Sequence, residues 1–286
     1  MKSSWMLVAA ALFALMGVLV KHASTHFSSG ELVFYRSVFG LLAIGGVIAV
    51  QHGSLLKPLA TPYRRAHFWR GLSGFVALVL FFYAIARLPL ATAVTLNYTA
   101  PLFLAVLSAW WLHEKQGRGL LGAVGLGFVG IVLVLRPQVQ DQAWLPALAG
   151  LVSGMLAAVA YVNVKQLGRL GEPEWRVVFY FTLLATLGGG AWMLLAGFHR
   201  PHAADWPWLI GIGVTATLAQ LALTRAYHRG RTLIVGALAY STVGFSALYG
   251  LILFGEALPL SAWTGMAVVT LAGIWAVRSA APADSL

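Results

Sequence analysis

The sequence predicts an all-α, polytopic membrane protein of ten transmembrane helices, arranged as two inverted five-helix repeats over 1–140 and 141–286. Three observations carry that prediction. Of the 286 residues 60% are hydrophobic and only 9% are charged, whereas a soluble domain carries roughly 25% charged residues. Apolar runs near the ~20 residues that cross a bilayer recur from end to end, separated by short connections. Shifted by 142 positions the chain also overlays itself, "NYTAPLFLAVLSAWWLHE" falling on "AYSTVGFSALYGLILFGE".

The spans run over about 5–22, 32–50, 68–87, 90–112, 119–136, 144–167, 175–196, 206–229, 233–254 and 261–278. The first, "MKSSWMLVAAALFALMGVLVKH", has the basic start and apolar core of a signal peptide. No clean small-x-small cleavage pattern follows and nine further spans do, so it is read as a retained helix. Helix 2 opens on "ELVFYR". The longest gap, "QHGSLLKPLATPYRRAHFWR", is a basic loop leading into helix 3. Helix 4 holds "LNYTAPLFLAV" (96–106), where Pro101 costs a helix hydrogen bond close to the bilayer centre. Small-residue runs in helices 5 and 6, "GAVGLGFVG" and "AGLVSG", let helices approach closely and suit packing or a weak dimer contact. Helix 9 carries "AYSTVGF", with Gly244 and a Ser-Thr pair to loosen it at the position matching the proline of helix 4.

In the 142 overlay Tyr98 meets Tyr240, Phe103 meets Phe245, Ala105 meets Ala247 and Glu114 meets Glu256. Near the start of each half a shift of 145 superposes two "VFY" triplets, ending at Tyr35 and Tyr180. An odd number of helices per half forces opposite orientations, the architecture of secondary transporters with a site near the midplane.

Net charge is +11, yet the basic residues sit in gaps between apolar runs and form no stripe, so nucleic acid is excluded as a partner. With the N-terminus in the cytoplasm, only Lys21, Arg36, Arg87, Arg136 and Arg200 of the nineteen Lys and Arg fall on the outer side. That asymmetry places both termini inside. The chain has no cysteine, which removes disulfides, iron–sulfur clusters and thiolate metal sites. No cofactor and no metal are expected; the partners are a small-molecule substrate and the lipid bilayer.

Polar side chains within apolar spans nominate the site, because polar groups in hydrocarbon are costly unless satisfied. The candidates for substrate contact are Arg36, Tyr83, Asn97, Tyr98, Tyr161, Asn163, Gln220 and Tyr240. Arg36 lies about five residues inside helix 2, where a substrate carboxylate would match its guanidinium and headgroup snorkelling is the alternative. Lys21, at the end of helix 1, is read as an interfacial snorkelling lysine. Pro101 and Gly244 are the candidate bending points. Glu114 and Glu256 close helices 4 and 9 and are assigned a structural role toward a helix N-terminus or a loop arginine.

Taken with these motifs, "FYR" at Phe34–Arg36, "Y-x-x-P" at Tyr98–Pro101 and the glutamates closing "WWLHE" and "LILFGE", the chain resembles the EamA-type transporters of the drug/metabolite transporter superfamily. The resemblance covers essentially the whole chain. It implies a multi-pass carrier of the bacterial inner membrane, a monomer or weak homodimer, exporting amino acids or other small metabolites. It also implies a cavity lined mainly by helices 1, 3, 4, 6, 8 and 9, with 5 and 10 as peripheral supports. The second half departs from the first, with Val243 opposite Pro101 and Phe181 opposite Arg36.

The rival from another class is an intramembrane serine hydrolase, on "GLSG" (71–74) and "GFSA" (244–247). A nucleophilic serine needs a base within hydrogen-bond reach, and all eight histidines lie in loops or at helix ends. Every acidic residue is likewise outside the span centres, so the chain reads as a facilitator or exchanger rather than a proton antiporter.

Overall fold

A computed structural model describes residues 4–52, 59–100, 102–103, 107, 118–140, 143–229 and 238–279. Among these residues the regular structure is helical throughout. The helices are α1 (Trp5–Ala23), α2 (Ser29–His52), α3 (Arg64–Arg87), α4 (Leu90–Asn97), α5 (Arg118–Gln140), α6 (Trp144–Arg169), α7 (Glu174–Ala196), α8 (Trp206–Arg229), α9 (Ser241–Phe254) and α10 (Leu260–Ser279). Six of them, α1, α2, α3, α6, α7 and α8, are long and apolar enough to cross a membrane, and α5, α9 and α10 contain shorter apolar helices. The outer surface has the matching character: Val50, Leu194 and Leu195 are each more than 80% exposed. Water would penalise such a surface and lipid does not.

The helices pair across the chain. α3 lies along α6, α1 along α8, α2 along α7 and α5 along α10. The short α4 touches α6 and α9, and α9 also packs on α1. The central core joins Val20, Phe82, Ile85, Leu88, Leu90 and Leu209.

Close helix approach follows the glycines. At Gly130 an added Cβ would lie 2.8 Å from the backbone nitrogen of Val269, and at Gly265 it would lie 2.7 Å from that of Val134. In the glycine run of helix 5, Gly125 has no neighbour within 4 Å and Gly127 faces Leu102, while Gly122 and Gly130 face α10. Gly154 does the same for α6, seating it directly on Leu96 and Asn97 of α4, whose carbonyl oxygens lie 2.8 and 3.0 Å from its notional Cβ.

Polar contacts gather at the two ends of the bundle. At one end Glu31 forms a capping box with Ser28, its carboxylate accepting from the Ser28 N–H at 2.6 Å. The same carboxylate accepts from the His199 N–H at 2.6 Å and so ties α2 to the α7–α8 connection. At the opposite end Glu172, between α6 and α7, accepts from the Thr61 hydroxyl at 2.7 Å and from Arg176 at 3.1 Å, and lies 3.0 Å from His67 Nε2. Burial pushes the Glu172 carboxyl up, but the bonds from Thr61, His67 and Arg176 outweigh it and hold the group below its ordinary value.

A carboxyl with a depressed folded pKa stabilises the fold at neutral pH, and that contribution is lost as pH falls through the folded value. Glu172→Gln should therefore cost about 1.5–3 kcal/mol at neutral pH, the range for hydrogen bonds to a charged group. Thermal unfolding of the variant against the parent should converge below the ordinary carboxylate range; a gap that persists in acid would assign the loss to packing instead.

Candidate functional site

The helix carrying "LNYTAPLF" breaks where its sequence is least helical. α4 ends at Asn97, and a turn at Tyr98 and Thr99 separates it from the helical residues that follow. The Leu96 carbonyl accepts from the Thr99 hydroxyl at 2.6 Å and from the Thr99 N–H at 3.3 Å, so a side chain replaces part of the lost ladder. Proline has no N–H to return to the Asn97 carbonyl; Pro101 itself lies outside the described residues, as does Glu114. The helix of the second half is interrupted at Tyr240, immediately before α9. The two breaks fall on the residues that the 142 overlay pairs.

Between these breaks lies a cavity of about 520 Å³. α1, α2, α3, α4, α6, α7, α8 and α9 all contribute to its wall, and α5 and α10 contribute nothing among the described residues. Relative to the expected lining, α2 and α7 are additions, and they bring the most consequential side chains.

Of the sequence candidates, Arg36, Asn97, Tyr98, Tyr161, Gln220 and Tyr240 line this cavity together. The Asn97 amide donates to the Ser153 hydroxyl at 3.0 Å, and the Tyr98 hydroxyl donates to that of Thr242 at 2.9 Å. The Tyr98 and Tyr240 rings meet edge-on at 6.1 Å. Two candidates stand elsewhere. Tyr83 lies under the Arg87 guanidinium at 3.9 Å, and Asn163 is buried, donating to the Val159 carbonyl one turn back at 2.9 Å. Gly244 sits in the first turn of α9 with open space where a Cβ would be.

Arg36 points into the cavity rather than out to headgroups. Its guanidinium carbon is 6.0 Å from the centre of the Phe181 ring. A second guanidinium, that of Arg70, approaches the same ring at 4.4 Å. Gly74, one turn on from Arg70, makes this approach feasible, since a Cβ there would collide with the Arg70 guanidinium and lie 2.9 Å from Phe181. Arg36 Nε and both Nε and Nη1 of Arg70 are buried without a hydrogen-bond partner among the described residues. The sequence counted Arg70 only as a topology charge, because it falls within the first turn of the apolar run that starts at about 68. Backbone hydrogen bonding carries α3 back to Arg64 and so sets Arg70 a turn deeper in the helix. The one available signal was that Phe181 occupies the repeat position of Arg36.

The cavity lies toward the end of the bundle that holds Met6, Arg70, Leu223 and Tyr240. The opposite end is closed by charge. Lys21 does not snorkel: its ammonium donates to the Leu88 carbonyl at 2.6 Å and pairs with Glu256 at 2.5 Å. Gly255 ends α9 at φ +62°, a left-handed turn that suits glycine. The turn sends the Glu256 carboxylate back to accept from the Leu90 N–H at 2.7 Å. Glu256 thus caps the N-terminus of α4, in the other half of the chain, where an anion is favoured.

Neither hydrolase serine has an activating base among the described residues. Ser73 donates to the Trp69 carbonyl at 2.8 Å, and Ser246 is fully buried without a partner.

The EamA-like transporter family model matches residues 2–136 and again 144–278. An uncharacterized transporter of Helicobacter pylori is 30% identical, covering 95% of this chain and 92% of its own. The pseudopaline exporter CntI of Pseudomonas aeruginosa is 33% identical over 85% of this chain and 84% of its own. A solved crystal structure superposes with a TM-score of 0.65 over 99% of this chain and 100% of the other, at 20% identity, which shows a shared fold alone.

Proposed function

We propose, from the premise that this chain belongs to the EamA-like transporter family and is a multi-pass membrane transporter rather than an enzyme, that it exports small carboxylate-bearing metabolites by alternating access. The observation that carries this reading is the cavity of about 520 Å³, with Arg36 turned into it and its Nε without a hydrogen-bond partner among the described residues. A guanidinium away from water needs an anionic partner, and a carboxylate meets it with two parallel bonds. Tyr98, Asn97, Tyr161, Gln220 and Tyr240 supply the remaining polar contacts.

The fold reading is ten spans in two inverted repeats, with both termini in the cytoplasm of a bacterial inner membrane. What supports the repeat is an exchange of partners: α1 packs on α8 as α6 packs on α3, and α1 meets α9 as α6 meets α4. Residues near a two-fold axis meet their own counterparts. Tyr98 meets Tyr240, and Arg36 meets Phe181. In this orientation the cavity faces the cytoplasm, and the Lys21–Glu256 contact shuts the outer side, a geometry suited to loading an export substrate. Pro101 and Gly244 remain the proposed bending points, beside the breaks at Tyr98 and Tyr240.

The test is mass spectrometry of the medium from bacteria overproducing this chain, beside cells making Arg36→Ala. Metabolites that bear a carboxylate should accumulate outside with the parent and fall about tenfold or more with the variant, the worth of a charge-assisted bidentate pair. Equal media from cells with equal amounts of both proteins in the membrane would overturn the reading.

A further inference from the structure

We infer that the cavity takes a ligand carrying at least two anionic groups, one held by Arg36 and the other by Arg70, across the face of Phe181. This deepens the carrier reading above and rests on it. Both guanidinium carbons lie within 6.0 Å of one ring centre, so a single small molecule can reach both. They come from opposite sides: Arg36 from the first turns of α2, beside the end closed by Glu31 and His199, and Arg70 from the second turn of α3, beside the Glu172 cluster. Among the described residues the cavity wall contains two arginines and no Asp or Glu. The carboxylates near these helices are already engaged, Glu31 with Ser28 and His199, Glu172 with Thr61, His67 and Arg176.

Charge arithmetic then selects the ligand class. Two like charges drawn to one ring, within 6.0 Å of its centre, are costly inside a membrane when uncompensated. A monoanion cancels one of them. A zwitterionic amino acid brings an ammonium into a site that already holds two cations, and its only partners there are the rings and neutral dipoles of Tyr98, Asn97, Tyr161 and Gln220. A dianion neutralises the pair and fills the unsatisfied donors Arg36 Nε, Arg70 Nε and Arg70 Nη1. The Phe181 ring, which both guanidiniums approach, offers a face to the segment linking the two acid groups. The amino-acid expectation drawn from the family resemblance is thereby narrowed to compounds with a net negative charge.

The experiment compares the medium of cells making the parent chain, Arg70→Gln and Arg70→Lys, with the chain-dependent metabolites sorted by their number of acid groups. Compounds with two or more acid groups should dominate, fall about tenfold or more with Arg70→Gln, and recover in part with Arg70→Lys, which keeps the charge and loses the fork. Chain-dependent export made up of monoacids or zwitterions that tolerate Arg70→Gln would overturn this inference and leave the carrier reading standing. The absence of any chain-dependent metabolite would overturn both. Thermal unfolding of the purified ligand-free proteins guards against misfolding. Arg70→Gln relieves the repulsion and should melt at or above the parent temperature, and a lower melting point would make Arg70 a structural residue and overturn the assignment.

Discussion

Glu256→Ala should lower the unfolding free energy of the protein by about 3 kcal/mol and release the closure at the Lys21–Glu256 end of the bundle. Removing one partner of a buried ion pair costs about 3–5 kcal/mol, because the remaining charge is left uncompensated. The low end applies here, since the Lys21 and Glu256 side chains keep 18% and 12% of their surface accessible. Two groups lose an acceptor at once, the Lys21 ammonium, which keeps only the Leu88 carbonyl, and the Leu90 N–H at the start of α4. Glu256→Gln separates them: its amide oxygen still accepts from Leu90 but carries no charge for Lys21, so its loss should be smaller. The measurement is chemical unfolding in detergent, with accessibility of a cysteine placed at the Lys21–Glu256 end of the cavity as the functional readout. Accessibility should rise in the order parent, Gln, Ala. If the alanine variant is as stable and as closed as the parent, the contact is incidental.

Gly130→Leu should disrupt the protein more than any other single substitution on the α5–α10 face. A Cβ at Gly130 meets the Val269 backbone nitrogen at 2.8 Å, and one at Gly265 meets the Gly130 carbonyl oxygen at 2.9 Å and the Val134 nitrogen at 2.7 Å. Neither contact can be relieved by turning a side chain, so the helices must separate. Overpacking of this kind costs about 1–3 kcal/mol for small additions, which sets the expectation for Gly130→Ala, and leucine exceeds it. Gly125 supplies the control on the same helix. A Cβ there has nothing within 4 Å, so Gly125→Ala should gain up to about 1 kcal/mol from helix propensity. The check is the melting temperature of the three purified variants. Similar melting points for Gly130→Leu and Gly125→Ala would show that α5 and α10 do not rely on backbone contact.

Much of this architecture was legible because lipid makes hydropathy a direct readout of span position. The limits of α1, α6, α7 and α8 match the apolar runs to within a few residues. The breaks were also legible in kind, since proline, Thr99 and the Ser-Thr pair all compete with the helix ladder. At the break beside Tyr98, α6 seats directly on Leu96 and Asn97 through Gly154, a contact that only the tertiary structure shows. Glu256 shows the same division. Its affinity for a helix N-terminus was readable from its place after an apolar run, but the helix it caps is α4, which only the packing of α9 against α4 brings within reach.

By itself the sequence determined the helical class, the membrane setting, the overlay of Tyr98 on Tyr240 and, among its eight candidate side chains, six that line one cavity. Polar residues inside apolar spans are costly, and cost is visible residue by residue. The tertiary structure alone decided that Arg70 joins Arg36 at Phe181 and that Lys21 closes the far end with Glu256. It likewise placed Tyr83 under Arg87 and turned Asn163 back onto its own helix. Each of these depends on which helix faces are turned toward one another, and a charge carries the same letter in the sequence whether it ends in lipid headgroups, in an ion pair or in a binding site.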